Sequence, residues 1–141
     1  MPSDSEILET ARMIRLAGRE IARKRDANAS SLGITSTQAD ALILVRDNPG
    51  CSITFLRDNL GTTHQASRTL VDRMRLNGLV LVGTHEDDAR VRTVDLTDRG
   101  VRILDEFLRM GVEVNTTLFG TLDEEGFRHL RESLFRIPLR R

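Results

Sequence analysis

The sequence predicts a mainly α-helical protein that carries one small antiparallel β-hairpin. Apolar residues recur at helical spacing through most of the 141 residues, and capping residues precede several of these segments. Only the stretch after Leu79 is rich in valine and alternates as a strand does. The length suits one ordinary domain, and the chain contains no internal repeat.

The composition is that of a globular chain without a global preference for a charged partner. Hydrophobic residues make up 39% and charged residues 30%, and the formal net charge is zero. No run approaches the ~18 apolar residues of a membrane span, and MPSDSEILET lacks the pattern of a signal peptide. The single cysteine, Cys51, excludes an intramolecular disulfide. We therefore expect a cytoplasmic protein with no membrane partner, and any nucleic-acid surface must be local.

The first half of the chain predicts three helices. Capping boxes occupy residues 3–6 and 35–38, and the first of them begins a helix from about residue 5 to residue 26. The second helix ends at the Asn-Pro-Gly of 48–50, and a short third helix follows over 52–60.

The segment GTTHQASRTLVDRMRLNGLV, residues 61–80, predicts a fourth helix that begins at Thr62 or Thr63. At about 100° per residue, one face comprises Ala66, Leu70, Met74 and Asn77, with Thr63 and Ser67 beside them. The opposite face comprises His64, Gln65, Arg68, Thr69, Asp72 and Arg75. Gln65 suits adenine and Arg68 suits guanine, but Arg68 and Asp72 are also spaced for a surface ion pair. The helix alone therefore leaves base reading and solvated surface both open.

The second half predicts a hairpin and two further helices. LVLVGT and RVRTVDL flank the polar turn HEDDA, and Thr97 caps the next helix, with Gly100 tolerated in its first turn. That helix carries two apolar stripes, which indicates burial on two sides, one of them against a second subunit. A last helix follows Asp123 and ends at Pro138. Three central helices followed by a hairpin make a winged helix-turn-helix.

The segment from Leu32 to Gly100 resembles the MarR family of bacterial winged helix-turn-helix transcriptional regulators. The resemblance is carried by Asp88-x-Arg90 in the wing, the LTDRG of 96–100, the DRM of 72–74 and the NGLV of 77–80. Helices on both flanks extend it over nearly the whole chain. It implies a single domain over 1–141, with a DNA-binding lobe at 32–97 and dimerisation helices at 4–27 and 98–138.

The resemblance also implies a function. A homodimer would bind double-stranded DNA at a palindromic operator, with half-sites about one helical turn apart. A small lipophilic or phenolic effector, bound where the dimerisation helices meet the lobe, would release the DNA, as expected of a repressor. Residues considered for that pocket are Arg15, Arg46, Phe55 and Phe107. Arg90 would enter the minor groove while Asp88 holds the wing in shape. The full set of predicted DNA contacts is Thr62, Thr63, His64, Gln65, Ser67, Arg68, Arg73, Asp88, Arg90 and Arg92.

Two departures from the family pattern keep an alternative open. Thr69 stands where the family usually has an arginine, and Leu81 to Gly83 replace a basic residue that often follows the start of the first strand. Between Thr62 and Arg92 five arginines face four acidic residues. The alternative is a winged-helix dimer with weakened DNA binding that acts through protein contacts.

Other chemistry is poorly represented. We expect Cys51 to be a partly buried structural residue rather than an oxidant sensor. The three histidines lie in separate elements without ligand spacing, so no metal site and no cofactor are predicted. No phosphate-cradling glycine loop, nucleophile elbow or HExxH is present, which argues against an enzyme.

Overall fold

The computed structural model describes residues 1–140, and over these residues the chain forms six helices and one small antiparallel sheet. The fold class predicted from the sequence is confirmed. In chain order the elements are α1 (Asp4–Ser31), α2 (Ser36–Asp47), β1 (Cys51–Ser52), α3 (Ile53–Leu60), α4 (His64–Leu76), β2 (Val80–Thr84), β3 (Arg92–Leu96), α5 (Asp98–Phe119) and α6 (Glu124–Arg136).

Side-chain caps explain where the helices begin. Both predicted capping boxes form, at the starts of α1 and α2. Of the two candidates for the start of α4, Thr63 is the N-cap, and its hydroxyl accepts a hydrogen bond from the Ala66 amide at 3.1 Å. Thr97 caps α5 in the same way, through the Gly100 amide at 2.9 Å.

Helix α1 is longer than the sequence pattern predicted. It continues through Ser31, whereas the prediction ended it at about residue 26. Ala29, in the added turn, is fully buried, so packing against the rest of the chain keeps this turn helical. Gly33, with φ of 74°, then adopts a left-handed conformation and ends the extension.

The sheet contains a strand that the sequence did not reveal. Its order is β1-β3-β2, with all pairs antiparallel. The hairpin itself was predicted, and it pairs Val80 with Leu96 and Thr84 with Arg92. The additional strand β1 has two residues, too few to show alternation, and it exists because the turn after α2 lies against β3.

The buried face of α4 differs from the prediction by a rotation about the helix axis. Ser67, Val71 and Met74 are fully buried, whereas the predicted core residues Ala66 and Asn77 are exposed. The rotation arises because the residues that α4 buries are those that pack against α3 and β2. The helical spacing used for the prediction treats α4 as an isolated helix, so it contains no information about the positions of α3 and β2.

The start of α5 lies directly on the start of β2. The Thr97 amide donates to the Leu79 carbonyl oxygen at 3.1 Å. A Cβ added to Gly100 would overlap that oxygen and lie 3.1 Å from the carbonyl carbon. The sequence had suggested only that Gly100 is tolerated, but this close approach requires a glycine.

The two ends of the chain pack differently from the centre. Residues 1–19 are all exposed, and α6 contains no buried residue. Helix α1 contacts α2 and α5 through its C-terminal part, where its half-buried and buried residues lie. No helix within the described range is both long and apolar enough to span a membrane.

Candidate nucleic-acid interface

One flank of α4 faces the wing across a small basic cleft. This wing-side cleft has a volume of about 210 Å³. It lies between the starts of α3 and α4 and the point where the turn of the wing leads into β3. Its lining residues are Ser52, Ile53, Thr54, His64, Arg68, Arg90, Val91 and Arg92. Four of the ten predicted DNA contacts therefore surround one concavity.

The other flank of α4 faces the start of α2 across a larger and nearly neutral cleft. This α2-side cleft has a volume of about 570 Å³, and Arg73 is its single charged lining residue. The rest of the lining is Thr35, Thr37, Gln38, Thr62, Thr63, Gln65, Ala66, Thr69 and Leu70. The exposed half of α4 is thus bordered by arginines on one side and by hydroxyl and amide groups on the other.

The wing turn is held by Asp88. Its carboxylate accepts hydrogen bonds from the Arg90 backbone amide at 3.0 Å and from the Arg90 Nε at 3.1 Å. The Arg90 side chain lowers the pKa of Asp88 from its ordinary value, and the Arg90 backbone amide adds to this effect. The turn closes through Val91 N to Asp88 O at 3.0 Å and His85 N to Val91 O at 2.9 Å. The guanidinium of Arg90 remains exposed beside α4, as the sequence-based interpretation of this pair requires.

Ser67 is removed from the predicted DNA contacts. Its side chain is fully buried, and its hydroxyl lies 2.6 Å from that of Thr62 in a hydrogen bond. This bond satisfies the buried polar group and ties the loop before α4 to the helix. The helical spacing had already placed Ser67 beside the predicted buried face, and the observed rotation of α4 carries it fully into the core.

The ion pair considered between Arg68 and Asp72 does not form. Neither side chain makes an ion pair or hydrogen bond with another described residue, and both are exposed. Arg68 lies instead in the wing-side cleft with Arg90 and Arg92. Gln65, one turn earlier on the other flank, lies in the α2-side cleft.

Sequence reasoning missed the residues that complete the two clefts. Thr35 and Thr37 at the start of α2, and Ser52 and Thr54 at the start of α3, line them. The capping signals at residues 35 and 52 located these helix starts, but not their position beside α4. The available signal was the polar capping residues at the starts of α2 and α3, because helix starts that lie beside an exposed helix can take part in the same binding surface.

Cys51 lies half-buried in β1. Burial raises the pKa of its thiol, and the nearby Asp95 carboxylate raises it further. A raised pKa disfavours the reactive thiolate, in agreement with a structural role. Over residues 1–140 no group of three or more His, Cys, Asp or Glu side chains is placed to hold a metal ion.

A separate apolar pocket lies where α1, α2 and α5 meet. This inter-helix pocket has a volume of about 440 Å³, and its lining residues are Ile21, Arg25, Asn28, Ile43, Phe107, Leu108, Gly111, Val112, Val114, Asn115 and Thr116. Of the residues considered for it from the sequence, Phe107 lines it, whereas Arg15, Arg46 and Phe55 do not.

Arg25 is the charged residue of this pocket, and it joins α1 to the lobe. Its guanidinium contacts Asp40 of α2, with Nη2 at 2.5 Å from the carboxylate, and its Cζ lies 5.1 Å from the centre of the Phe107 ring. Through these contacts Arg25 connects α1 to α2 and α5 at the pocket wall.

Known proteins share this architecture. The sequence profile of the MarR family matches residues 32–91. The YusO protein from Bacillus subtilis superposes with a TM-score of 0.81 at 17% identity, over 96% of this chain and 99% of that chain. Apo MarR from E. coli gives 0.80 at 22% identity, over 92% and 96%. A mutant MarR from E. coli complexed with operator DNA gives 0.77 at 22% identity, over 99% and 100%.

Comparison with curated proteins finds no match. The matched segment begins next to the end of α1 and ends in the wing, so it covers α2, α3, α4 and β2 together with the wing turn. It is also the segment that carries the Asp88 and Arg90 motif. Residues 32–91 thus match the MarR family, and the chain as a whole has the winged-helix fold of YusO and of E. coli MarR.

Proposed function

We propose that the protein is a DNA-binding transcription regulator, without enzymatic activity, that binds a palindromic operator as a homodimer. The observation that carries this proposal is the exposed N-terminal half of α4, bordered by a basic cleft shared with the wing and by a polar cleft shared with α2. Such a helix enters the major groove, where hydroxyl and amide groups bond to base edges. The protein would act in the cytoplasm, where its DNA lies.

The proposed contacts differ between the elements. Gln65 and Thr69 face the major groove from the α2-side flank, and Thr63 and His64 lie at the end of α4 that meets the groove first. Arg90 extends from the wing toward the minor groove, whose negative potential attracts arginine. The E. coli MarR complex with operator DNA and a mutant S. aureus MepR bound to an oligodeoxyribonucleotide support this assignment at the level of fold.

The proposed dimer uses the exposed apolar side chains of the terminal helices. On α1 these are Ile7, Leu8, Met13, Ile14 and Leu16, and toward the C-terminus they are Leu122, Phe127, Phe135, Ile137 and Leu139. An apolar surface of this extent at both ends of a chain is typical of a subunit interface. A dimer places two α4 helices on successive turns of DNA.

The inter-helix pocket is proposed to bind a small lipophilic or phenolic effector that releases the DNA, which makes the protein a repressor. Its wall is mostly apolar, with Phe107 available for stacking. Arg25 in the same wall contacts Asp40 of α2, so an occupant that displaces Arg25 would change how α1 holds the lobe.

Selection of bound fragments from a random duplex library tests the function. We expect enrichment of a palindrome with half-sites about one helical turn apart. Arg90→Ala should then weaken binding to that duplex at least about tenfold, because it removes a charged wing contact. The absence of any enriched sequence, together with a stable dimer, would instead support a winged-helix dimer that acts through protein contacts.

A further inference from the structure

The wing-side cleft concentrates positive charge that the chain does not neutralise. Arg68, Arg90 and Arg92 line it together with His64, and none of its lining residues is acidic. Arg90 is bound to Asp88, but Arg68 and Arg92 make no ion pair with any residue from 1 to 140. Like charges in one concavity repel one another, and an anion placed among them removes that repulsion.

Two helix starts add to this positive potential. Ile53 and Thr54 begin α3, and His64 begins α4, and all three line the cleft. The positive ends of both helices therefore face the space between the arginines. The N-cap hydroxyls of Ser52 and Thr63 already accept bonds from Phe55 and Ala66, so they supply no acceptor that would repel an anion.

The cleft also separates Arg68 from the residues that face the other flank. Arg68 lines the wing-side cleft, whereas Gln65 and Thr69 line the α2-side cleft. An arginine that pairs with guanine must reach the O6 and N7 atoms on the floor of the major groove. Arg68 instead lines the same small cleft as Arg92 of β3, which has a volume of about 210 Å³.

We propose that the wing-side cleft binds one phosphate of the DNA backbone, held jointly by Arg68 and Arg92. Arg68 then positions α4 in the groove and does not read a base. This phosphate contact replaces the guanine contact that the sequence suggested for Arg68. Sequence reading is left to Gln65 and Thr69. This assignment rests on the proposed function, since it names the role of one part of the same interface.

Equilibrium binding of Arg68→Ala and Gln65→Ala to the selected duplex and to a scrambled duplex tests the assignment. Arg68→Ala should weaken both duplexes by a similar factor of about ten and lower the slope of log K against log salt by about one. Gln65→Ala should weaken the selected duplex and leave the scrambled one unchanged. A loss confined to the selected duplex in Arg68→Ala would identify a base contact and overturn the proposal.

Two control variants make the result specific. Arg102→Ala removes one charge from an exposed position on α5 outside both clefts, and we expect both affinities and the salt slope to stay unchanged. Arg68→Lys keeps a point charge but loses the planar fork, so it should retain the preference for the selected duplex. Loss of that preference in Arg68→Lys would contradict a phosphate contact.

A double-mutant cycle tests whether one phosphate is shared. The combined Arg68→Ala and Arg92→Ala variant should lose less affinity than the product of the two single losses, because each variant already disturbs the same contact. Independent losses would assign the two arginines to different phosphates and overturn the shared site.

Two further results distinguish failure of the regulator proposal from failure of the phosphate site. If the wild-type chain selects no sequence but Arg68→Ala still weakens a random duplex, the regulator proposal fails and the phosphate site stands. Titration with inorganic pyrophosphate alone, followed by NMR, should show only weak binding at His64 and Arg68. Binding of pyrophosphate tighter than that of the duplex would identify a free phosphate ligand and overturn the DNA assignment.

Discussion

Large apolar side chains are buried in the winged lobe but exposed on the terminal helices. In the lobe, Leu42, Leu56 and Val94 are fully buried. In the N-terminal part of α1, Leu8 is 72% exposed and Ile14 is 46% exposed. The lobe closes a core within one chain, whereas the terminal helices present apolar surface without one. Because burying such a side chain contributes about 1.5–3 kcal/mol, the exposed apolar side chains of the terminal helices are the surface that the proposed dimer would cover.

The largest effect is expected where the lobe meets α5. Gly100→Ala places a Cβ against the backbone of Leu79, which no side-chain rotation can relieve. We expect a loss of at least about 2 kcal/mol in the free energy of unfolding, measured by urea denaturation. A loss below about 0.5 kcal/mol would show that α5 can shift and that this junction is not rigid.

The next effect concerns the terminal helices. Ile14→Glu places a charge on the exposed apolar face of α1. If that face is covered in a dimer, the dissociation constant should rise at least about tenfold, or about 1.4 kcal/mol, by analytical ultracentrifugation. Leu76→Glu is the matched control, because Leu76 is 77% exposed but lies at the end of α4 in the lobe. If both variants raise the dissociation constant equally, the terminal helices are not the specific dimer surface.

A smaller and opposite effect is expected at the boundary between the regions. Gly111 lies within α5, and a Cβ added there meets no atom within 4 Å. Gly111→Ala should therefore stabilise the chain by about 0.4–1 kcal/mol, because it reduces the conformational entropy of the unfolded chain. Thermal unfolding measures this, and Gly18→Ala offers a comparison in the middle of α1, where the added Cβ also meets nothing. A destabilised Gly111→Ala would mean that the inter-helix pocket closes against this position.

The smallest effect concerns the wing, which is held by surface contacts rather than by a core. The pKa of Asp88 is lowered in the folded chain, so its contribution is present above the unfolded pKa of about 4 and is lost as pH falls through the folded value. The amide NMR signal of Arg90 should move in that acidic range while the signals of core residues stay constant. In Asp88→Asn the same signal should not titrate. A wild-type signal that is constant from pH 6 to about pH 2 would contradict this role of the carboxylate.

Much of the lobe was predictable because its information is local. The capping box at 35–38 and the caps at Ser52 and Thr97 involve groups within three residues of one another. The alternation after Leu79 and the wing motif of Asp88 and Arg90 are equally local. These features located the helix starts, the hairpin and the wing before any packing was known.

The sequence by itself determined the order of the six helices and the hairpin, the resemblance to the MarR family and the residue types that α4 exposes. Only the tertiary structure decided how α4 is rotated, and with it the burial of Ser67 and Val71 and the division of Arg68 and Gln65 between two clefts. The physical reason is that caps and periodicity act within a few residues, whereas rotation depends on α3 and β2 as neighbours. Gly100 follows the same rule, because the contact that requires a glycine comes from Leu79, which is 21 positions earlier in the chain.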